Sequence, residues 1–392
     1  MNGSYAIPVK GDLTNSRERI HTIFKGEEPD RVGYWDADFF ADTIQRWRQE
    51  GLPTAVDCKG GVHNPLLNVA GLTHFGMDIY ITQPDCTPKY DVIEYETSDD
   101  WTIIKDEYGT TTKWPTKKSV TPRYLEPVVK SPQDFLDKVE PLLDPADMRR
   151  VCSPHYPFKQ ELEETVKRMQ KEFFVAVAMP GPFAYSMLLC GGLASTLRFM
   201  VKHQNFMTHM FSSIATFLAR IGEGYLECGV DGLWVFDDQG WNKGPFYSPK
   251  VYAKLLKPAH TIICDSFKRK SLPRILHSDG NVEPFIPDFI DSGFNGLQPL
   301  QIKAGMDLAR LKEKYGKELT LMGGIDTDIL GSGDFEAIRN EVRSKIAIGG
   351  RGGGYIVTCD GPVPPTISLQ SYECFVRTIM DSGSYRQSQH KS

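Results

Sequence analysis

The chain has 392 residues, with 45 Lys+Arg against 50 Asp+Glu, a formal charge of −5 and 40% hydrophobic content. These values describe a globular protein with a sizeable core and exclude collagen-like, disordered and strongly basic nucleic-acid-binding chains. Without a long basic run there is no electrostatic footprint for an anionic membrane surface either, so small molecules or other proteins are the expected partners. Residues 1–19 lack the apolar core of a signal peptide, and no stretch approaches the roughly 20 apolar residues of a membrane helix, which makes the cytoplasm the expected location. The eight cysteines are scattered without a CxxC pair, as expected of reduced thiols.

In chain order, Asn15-Ser-Arg-Glu18 followed by Ile20, Ile23, Phe24 and Gly26 predicts a capped helix within an N-terminal extension over residues 1–30. Short apolar runs then predict strands at Val32–Trp35, Ile79–Thr82, Phe173–Ala178, Gly232–Phe236, Arg274–His277, Gly296–Gln298, Leu319–Met322 and Gly354–Thr358. Helical periodicity marks Pro249–Lys270, Val282–Ser292, Met306–Tyr315, Phe335–Ile348 and Ser368–Met380 between and after them. Residues 90–130 alternate with period two and predict an antiparallel insertion, and the Pro- and acid-rich 131–157 reads as a surface connection. Eight βα units predict an α/β chain folded as one TIM (β/α)8 barrel domain over 1–392, with the β insertion near 90–130.

In such a barrel the chemistry sits where the strands end. Those positions here are Asp36 and Asp38, Gln83 and Asp85, Met179-Pro-Gly181, Asp237-Asp-Gln239, His277-Ser-Asp279, Gln298, Gly324-Ile-Asp326 and Cys359-Asp360. On an extended backbone His277 and Asp279 point the same way, so imidazole and carboxylate can share a divalent metal, or the His can serve as acid or base. Asp237 and Asp238 are the candidates for proton transfer, although adjacent residues diverge and one of them is expected to face away. Cys359 or Asp360, before a proline-rich turn, could complete a metal site. The glycines at 349–354 precede a strand and lack the geometry of a phosphate loop, and His74, His155, His203 and His209 show no ligand spacing.

Taken together, His277-Ser-Asp-Gly-Asn281, Leu297-Gln-Pro299, Leu321-Met-Gly-Gly-Ile-Asp326 and the Pro-Val-Pro-Pro turn resemble the uroporphyrinogen decarboxylase superfamily, and within it the methyltransferase-like members. The likeness is strongest from about 222 to 381. It implies either cofactor-free decarboxylation of a porphyrinogen or zinc-assisted methyl transfer with a cobalamin carried on a separate corrinoid protein. The arginine-rich segment and the Gly-His-Gly turn of the decarboxylases are missing, with Gly33-Tyr-Trp-Asp-Ala-Asp-Phe-Phe40 and Cys359-Asp-Gly361 in their places. A polyanion would meet repulsion from Asp36, Asp38, Asp237 and Asp238.

Carried over residue by residue, the methyltransferase pattern implies zinc on His277, Asp279 and Asp360, with Cys359 as the alternative ligand. Asp237, Asp238 and His277 are then the expected catalytic residues, and Tyr34, Trp35, Asp36, Trp241, Gln298 and Asp326 the expected substrate-binding ones. The substrate is a small methylated compound such as an aromatic methyl ether, the partner a corrinoid protein, and the oligomer considered a homodimer. The alternatives are a porphyrinogen decarboxylase and a barrel that binds a ligand or corrinoid protein without catalysis.

Overall fold

The computed structural model describes residues 14–36, 39–59, 66–115, 122–147 and 159–385. Asp38, His155 and part of the 131–157 connection lie outside them. Eight parallel strands form the barrel: β1 Gly33–Tyr34, β2 Ile79–Thr82, β3 Phe174–Pro180, β4 Gly232–Phe236, β5 Arg274–His277, β6 Gly296–Gln298, β7 Thr320–Met322 and β8 Tyr355–Val357. Hydrogen-bonded ladders join them in the order β1-β8-β7-β6-β5-β4-β3-β2. Strands expected from short apolar runs thus appear within about two residues of their predicted ends, as both-face burial in a parallel sheet requires.

Register decides which side chains fill the barrel. Trp234 pairs with Ala178 and Ile275, and Phe236 with Pro180 and His277. His277 pairs in turn with Gln298. Registered partners in a parallel sheet share a face, so Phe236, His277 and Gln298 form a layer at the strand ends above Trp234. Small Ala176 and Ala178 leave room for Trp234, whose ring lies 4.4 Å from that of Trp35 across the barrel.

The helix Ser16–Phe24 plugs the opposite end. Asn15 caps it by accepting from Glu18 N. A Cβ on Gly33 would lie 3.0 Å from Ile20 and 2.9 Å from Ile23, and one on Gly296 would lie 2.9 Å from Phe24. Glycines at the base of β1 and β6 therefore let this helix seat its apolar face.

Between β1 and β2 the barrel closes through Asp78. Its N–H donates to Tyr34 O at 2.9 Å, and its carboxylate accepts from Tyr34 N at 2.8 Å. The same carboxylate takes Arg19 at 2.7 Å and Arg31 at 2.9 Å, and Arg19 also grips Asp30 at 2.8 Å. Burial pushes the Asp78 carboxyl upward, but Arg31 and Arg19 outweigh it and hold it below the ordinary aspartate range.

The antiparallel insertion is present with a fourth strand that alternation did not reveal: Ile93–Thr97, Trp101–Lys105, Thr111–Pro115 and Arg123–Glu126, paired in chain order. Part of the expected surface connection is instead helical, and Phe135–Val139 buries both of its end residues. Two predicted helices are broken by proline. Pro249–Lys270 divides into Pro249–Leu255 and Lys257–Arg269 ahead of Pro258, and the 282–292 segment into a 3-10 turn Glu283–Phe285 and a helix Ile286–Ser292 ahead of Pro287. Among the described residues no single helix is long and apolar enough to cross a membrane.

Asp78→Asn leaves two buried guanidinium groups undercompensated and is expected to cost about 3–5 kcal/mol in chemical denaturation. Because the folded Asp78 pKa is depressed, its stabilisation is fully present above the unfolded value of about 3.9 and is lost as pH falls through the lower folded value. The wild-type protein should therefore lose part of its advantage over the variant below about pH 4; a constant gap down to pH 2 would contradict this account of the seam.

Candidate active site

His277 ends β5 facing the barrel axis. Its Nδ1 lies 2.6 Å from Gln298 Oε1 on the neighbouring strand. An amide oxygen only accepts, so Nδ1 carries the proton and Nε2 presents a lone pair toward the mouth. Nε2 is 3.7 Å from Asp238 Oδ1. Asp279 N donates to the same Asp238 oxygen at 2.9 Å, and Gln301 orients Asp279 by donating to its Oδ1 at 2.8 Å. One ligand atom each from Asp238, His277 and Asp279 lies within 4.8 Å of the others. Bonds of about 2.0–2.2 Å to zinc require the ligand atoms to stand closer to one another than this limit.

The loops after β4 and β5 are laced together to hold this cluster. Gln239 N donates to Ser278 Oγ at 2.8 Å, and Asn281 N to Trp241 O at 3.0 Å. Gly280, at φ +84°, lies against the hairpin so closely that a Cβ would overlap the backbone of Gly240 and Trp241.

Asp237 and Asp238 diverge, as neighbours on an extended chain must. Asp237 is fully buried, accepts from Ala184 N at 2.6 Å at the start of the helix Pro182–Cys190, and meets His260 Nε2 at 2.7 Å. His260 Nδ1 in turn meets the Tyr252 hydroxyl at 2.7 Å. Burial raises the Asp237 carboxyl and His260 lowers it, with a net upward shift. This acid ties the end of β4 to two helices and is not brought to the cavity.

That cavity is walled by Asp36, His277, Asp279, Gln298, Thr358 and Cys359. Asp36 is buried at the end of β1 and accepts from Cys359 N at 2.7 Å, Thr358 Oγ1 at 2.8 Å and the Tyr372 hydroxyl at 2.8 Å. Burial pushes its carboxyl up to about 6, against the lowering effect of these donors. Tyr34 meets Tyr372 hydroxyl to hydroxyl at 2.7 Å. Either can donate, so Asp36 keeps a partner whether charged or protonated.

Other expected site residues fall elsewhere. Asp360 is not grouped with His277 and Asp279; it accepts from Thr327 N at 3.1 Å and Thr327 Oγ1 at 2.9 Å, and Asp238 stands third in the cluster instead. Cys359 is buried beside Asp36, and burial and that carboxylate push its thiol up, so it keeps its proton. Asp326 caps the helix Thr327–Gly331 and lies 3.6 Å from Lys303. Tyr34 is wholly buried, Trp35 packs at a tilt against Trp234 within the barrel, and Trp241 is 56% exposed on its hairpin. Tyr372, Thr358 and Gln301 carry no local signal in the sequence, since their roles arise from strands and a helix far away in the chain.

A parallel barrel with a His-and-carboxylate cluster at its strand ends defines a TIM-barrel class in which the strand-end loops carry the chemistry. The family model of uroporphyrinogen decarboxylase (URO-D) matches residues 97–381, most of the chain, and the protein belongs to that family. Among solved structures it is similar to a methyltransferase from Methanosarcina mazei, at 15% identity and TM-score 0.64, over 94% of this chain and 99% of that one. It also matches a B12-independent methionine synthase from Shewanella sp. W3-18-1, at 12% identity and TM-score 0.39, over 59% of this chain and 67% of that one. A search of curated proteins returns no match.

Gly280→Ala would drive a methyl into the Gly240–Trp241 backbone at a left-handed φ. It should cost about 1–3 kcal/mol and move the hairpin. A denaturation midpoint equal to that of the native protein would show that the two loops are not in the tight contact described.

Proposed function

We propose that the protein is a methyltransferase that demethylates a small methylated substrate and passes the methyl group to cobalamin on a corrinoid protein. The observation that carries this reading is the cluster of His277, Asp279 and Asp238, of which His277 and Asp279 wall a cavity that also holds Asp36. Among the described residues walling that cavity there is no lysine or arginine to partner the carboxylates of a porphyrinogen. The full-length likeness to a methyltransferase fold is consistent with the reading.

Imidazole with two carboxylates suits zinc, and His277, Asp279 and Asp238 would hold it, with Gln298 fixing the His277 tautomer from behind. Bound there, zinc would supply Lewis acidity toward the heteroatom that loses the methyl group. Asp36 takes the proton-transfer role expected of Asp237 or Asp238. On loss of the methyl group the electron pair of the broken C–O bond would stay on oxygen, and the Asp36 carboxyl would supply the proton that this oxygen takes. The tyrosine pair and Thr358 keep the carboxyl oriented throughout.

Purified protein should bind about one zinc, and His277→Ala should abolish the binding. Gln298→Leu should weaken it by about 10- to 100-fold, as loss of a partner behind a ligand does. Absence of metal after reconstitution, together with decarboxylation of a porphyrinogen, would sink the proposal.

With a corrinoid protein as acceptor, kcat should fall as pH rises through about 6, because the donor must be protonated and Asp36 is pushed up to about 6. Asp36→Asn should lower kcat by about 10²–10⁴-fold and flatten that limb. A limb that survives in this variant would assign the proton to another group.

A further inference from the structure

The helix Leu193–Lys202 and the chain leaving the insertion, 127–130, enclose a second groove far from the metal-capable cluster in sequence. Its walls are Pro127, Val129, Lys130, Ser195, Arg198, Phe199, Lys202 and His203. Val129 and Phe199 make an apolar floor, and the cations stand around it. Lys130 is paired with Glu126 at 2.7 Å, but among the described residues Arg198 and Lys202 have no acidic partner. They lie at i and i+4 on one helix face, where like charges repel. In a chain of net charge −5, an uncompensated pair of cations beside an apolar floor is an unusual local surface.

The fold places this groove on the mouth side. The helix Gln204–Glu227 descends to the base, since β4 begins just after it. At 1.5 Å per residue its 24 residues span about 36 Å, whereas a five-residue strand spans about 17 Å. Its first turn, with Lys202 and His203 just before it, therefore stands above the strand ends, and Lys254 of the helix Pro249–Leu255, which follows β4, reaches Gln204 at 2.7 Å. The groove is also rigidly joined to the barrel. Val129 N donates to Leu189 O at 3.0 Å, and Tyr124 and Pro127 pack on the glycine elbow Gly191–Gly192, whose φ values of +81° and +95° turn the chain between two helices.

We infer that this groove is the docking site for an acidic surface of the corrinoid protein, holding that partner at the rim while its cobalt faces the barrel mouth. The inference rests on the methyl-transfer reading for the partner's identity. A small anion is a poorer occupant, because the cations are exposed and spread along a helix face and do not converge on one point, as donors around a bound phosphate do. Spread charge around an apolar floor suits a protein surface, for which it steers encounter and sets orientation.

The test compares two methyl acceptors with the wild-type enzyme and the double variant Arg198→Glu, Lys202→Glu: a corrinoid protein of the same organism in its cobalt(I) state, and free cob(I)alamin. The variant should raise KM for the corrinoid protein at least tenfold and abolish the salt dependence of that KM. Its kcat with free cob(I)alamin should stay within twofold of wild type. An unchanged KM for the protein acceptor, or an equal loss with free cob(I)alamin, overturns the inference. If the wild-type protein methylates neither acceptor, the methyl-transfer reading has failed. The groove is then judged by surface plasmon resonance with the same corrinoid protein: binding lost in the variant supports it, and binding that is unchanged or absent in wild type overturns it.

Discussion

The carboxylate of Asp78 is where the barrel becomes a closed object. Seven of the eight strand junctions are made by ladders of peptide hydrogen bonds, while the β1–β2 seam depends on Asp78 bonding both sides of Tyr34. A buried carboxylate is tolerated there because Arg19 and Arg31 surround it, and Arg19 is in turn held by Asp30. The plug helix is attached through the same group, since Arg19 belongs to it. Seam, plug and base are one electrostatic unit, and the mouth above is free to be polar because the base carries the closure.

At the mouth the recurrent device is close backbone approach. Gly280 lets the hairpin after β4 lie on the loop after β5, and Gly181 leaves space that the Asp237 side chain fills. These contacts send the two adjacent acids to different tasks, Asp237 to helix anchoring and Asp238 to the cluster. Gln298 then sets the proton on His277 from the next strand, so three consecutive strands collaborate on one imidazole. Asp36 differs from the other mouth acids in degree of enclosure: four donors from the β8 end and the last helix surround it, yet desolvation still dominates.

The insertion extends this logic outward. It leaves after β2 and is tied to the helix following β3 through Thr110 and Val129, so the rim beside the mouth is built from segments anchored on adjacent strands. The groove inferred above to be a docking site lies on this anchored rim.

Periodicity alone located all eight strands and most of the insertion, because burial on both faces of a parallel strand imposes continuous apolar runs that a linear pattern can show. The strand-end rule likewise brought Asp36, His277, Asp279 and Gln298 to attention, and the pairing of i and i+2 placed His277 with Asp279. The fourth insertion strand and the proline breaks within two helices went unread, being short and locally ambiguous. What the chain could not display along its length was which acid completes the cluster. Asp360 and Asp238 both follow strands, and only register and loop lacing bring Asp238 beside His277 while Thr327 engages Asp360. The raised proton affinity of Asp36 has the same origin, for it depends on enclosure by Thr358, Cys359 and Tyr372, more than 300 residues away in the chain. Composition and spacing determined the barrel and its reactive rim; direction, enclosure and charge partner were decided in three dimensions, because those quantities belong to pairs of residues that only folding makes neighbours.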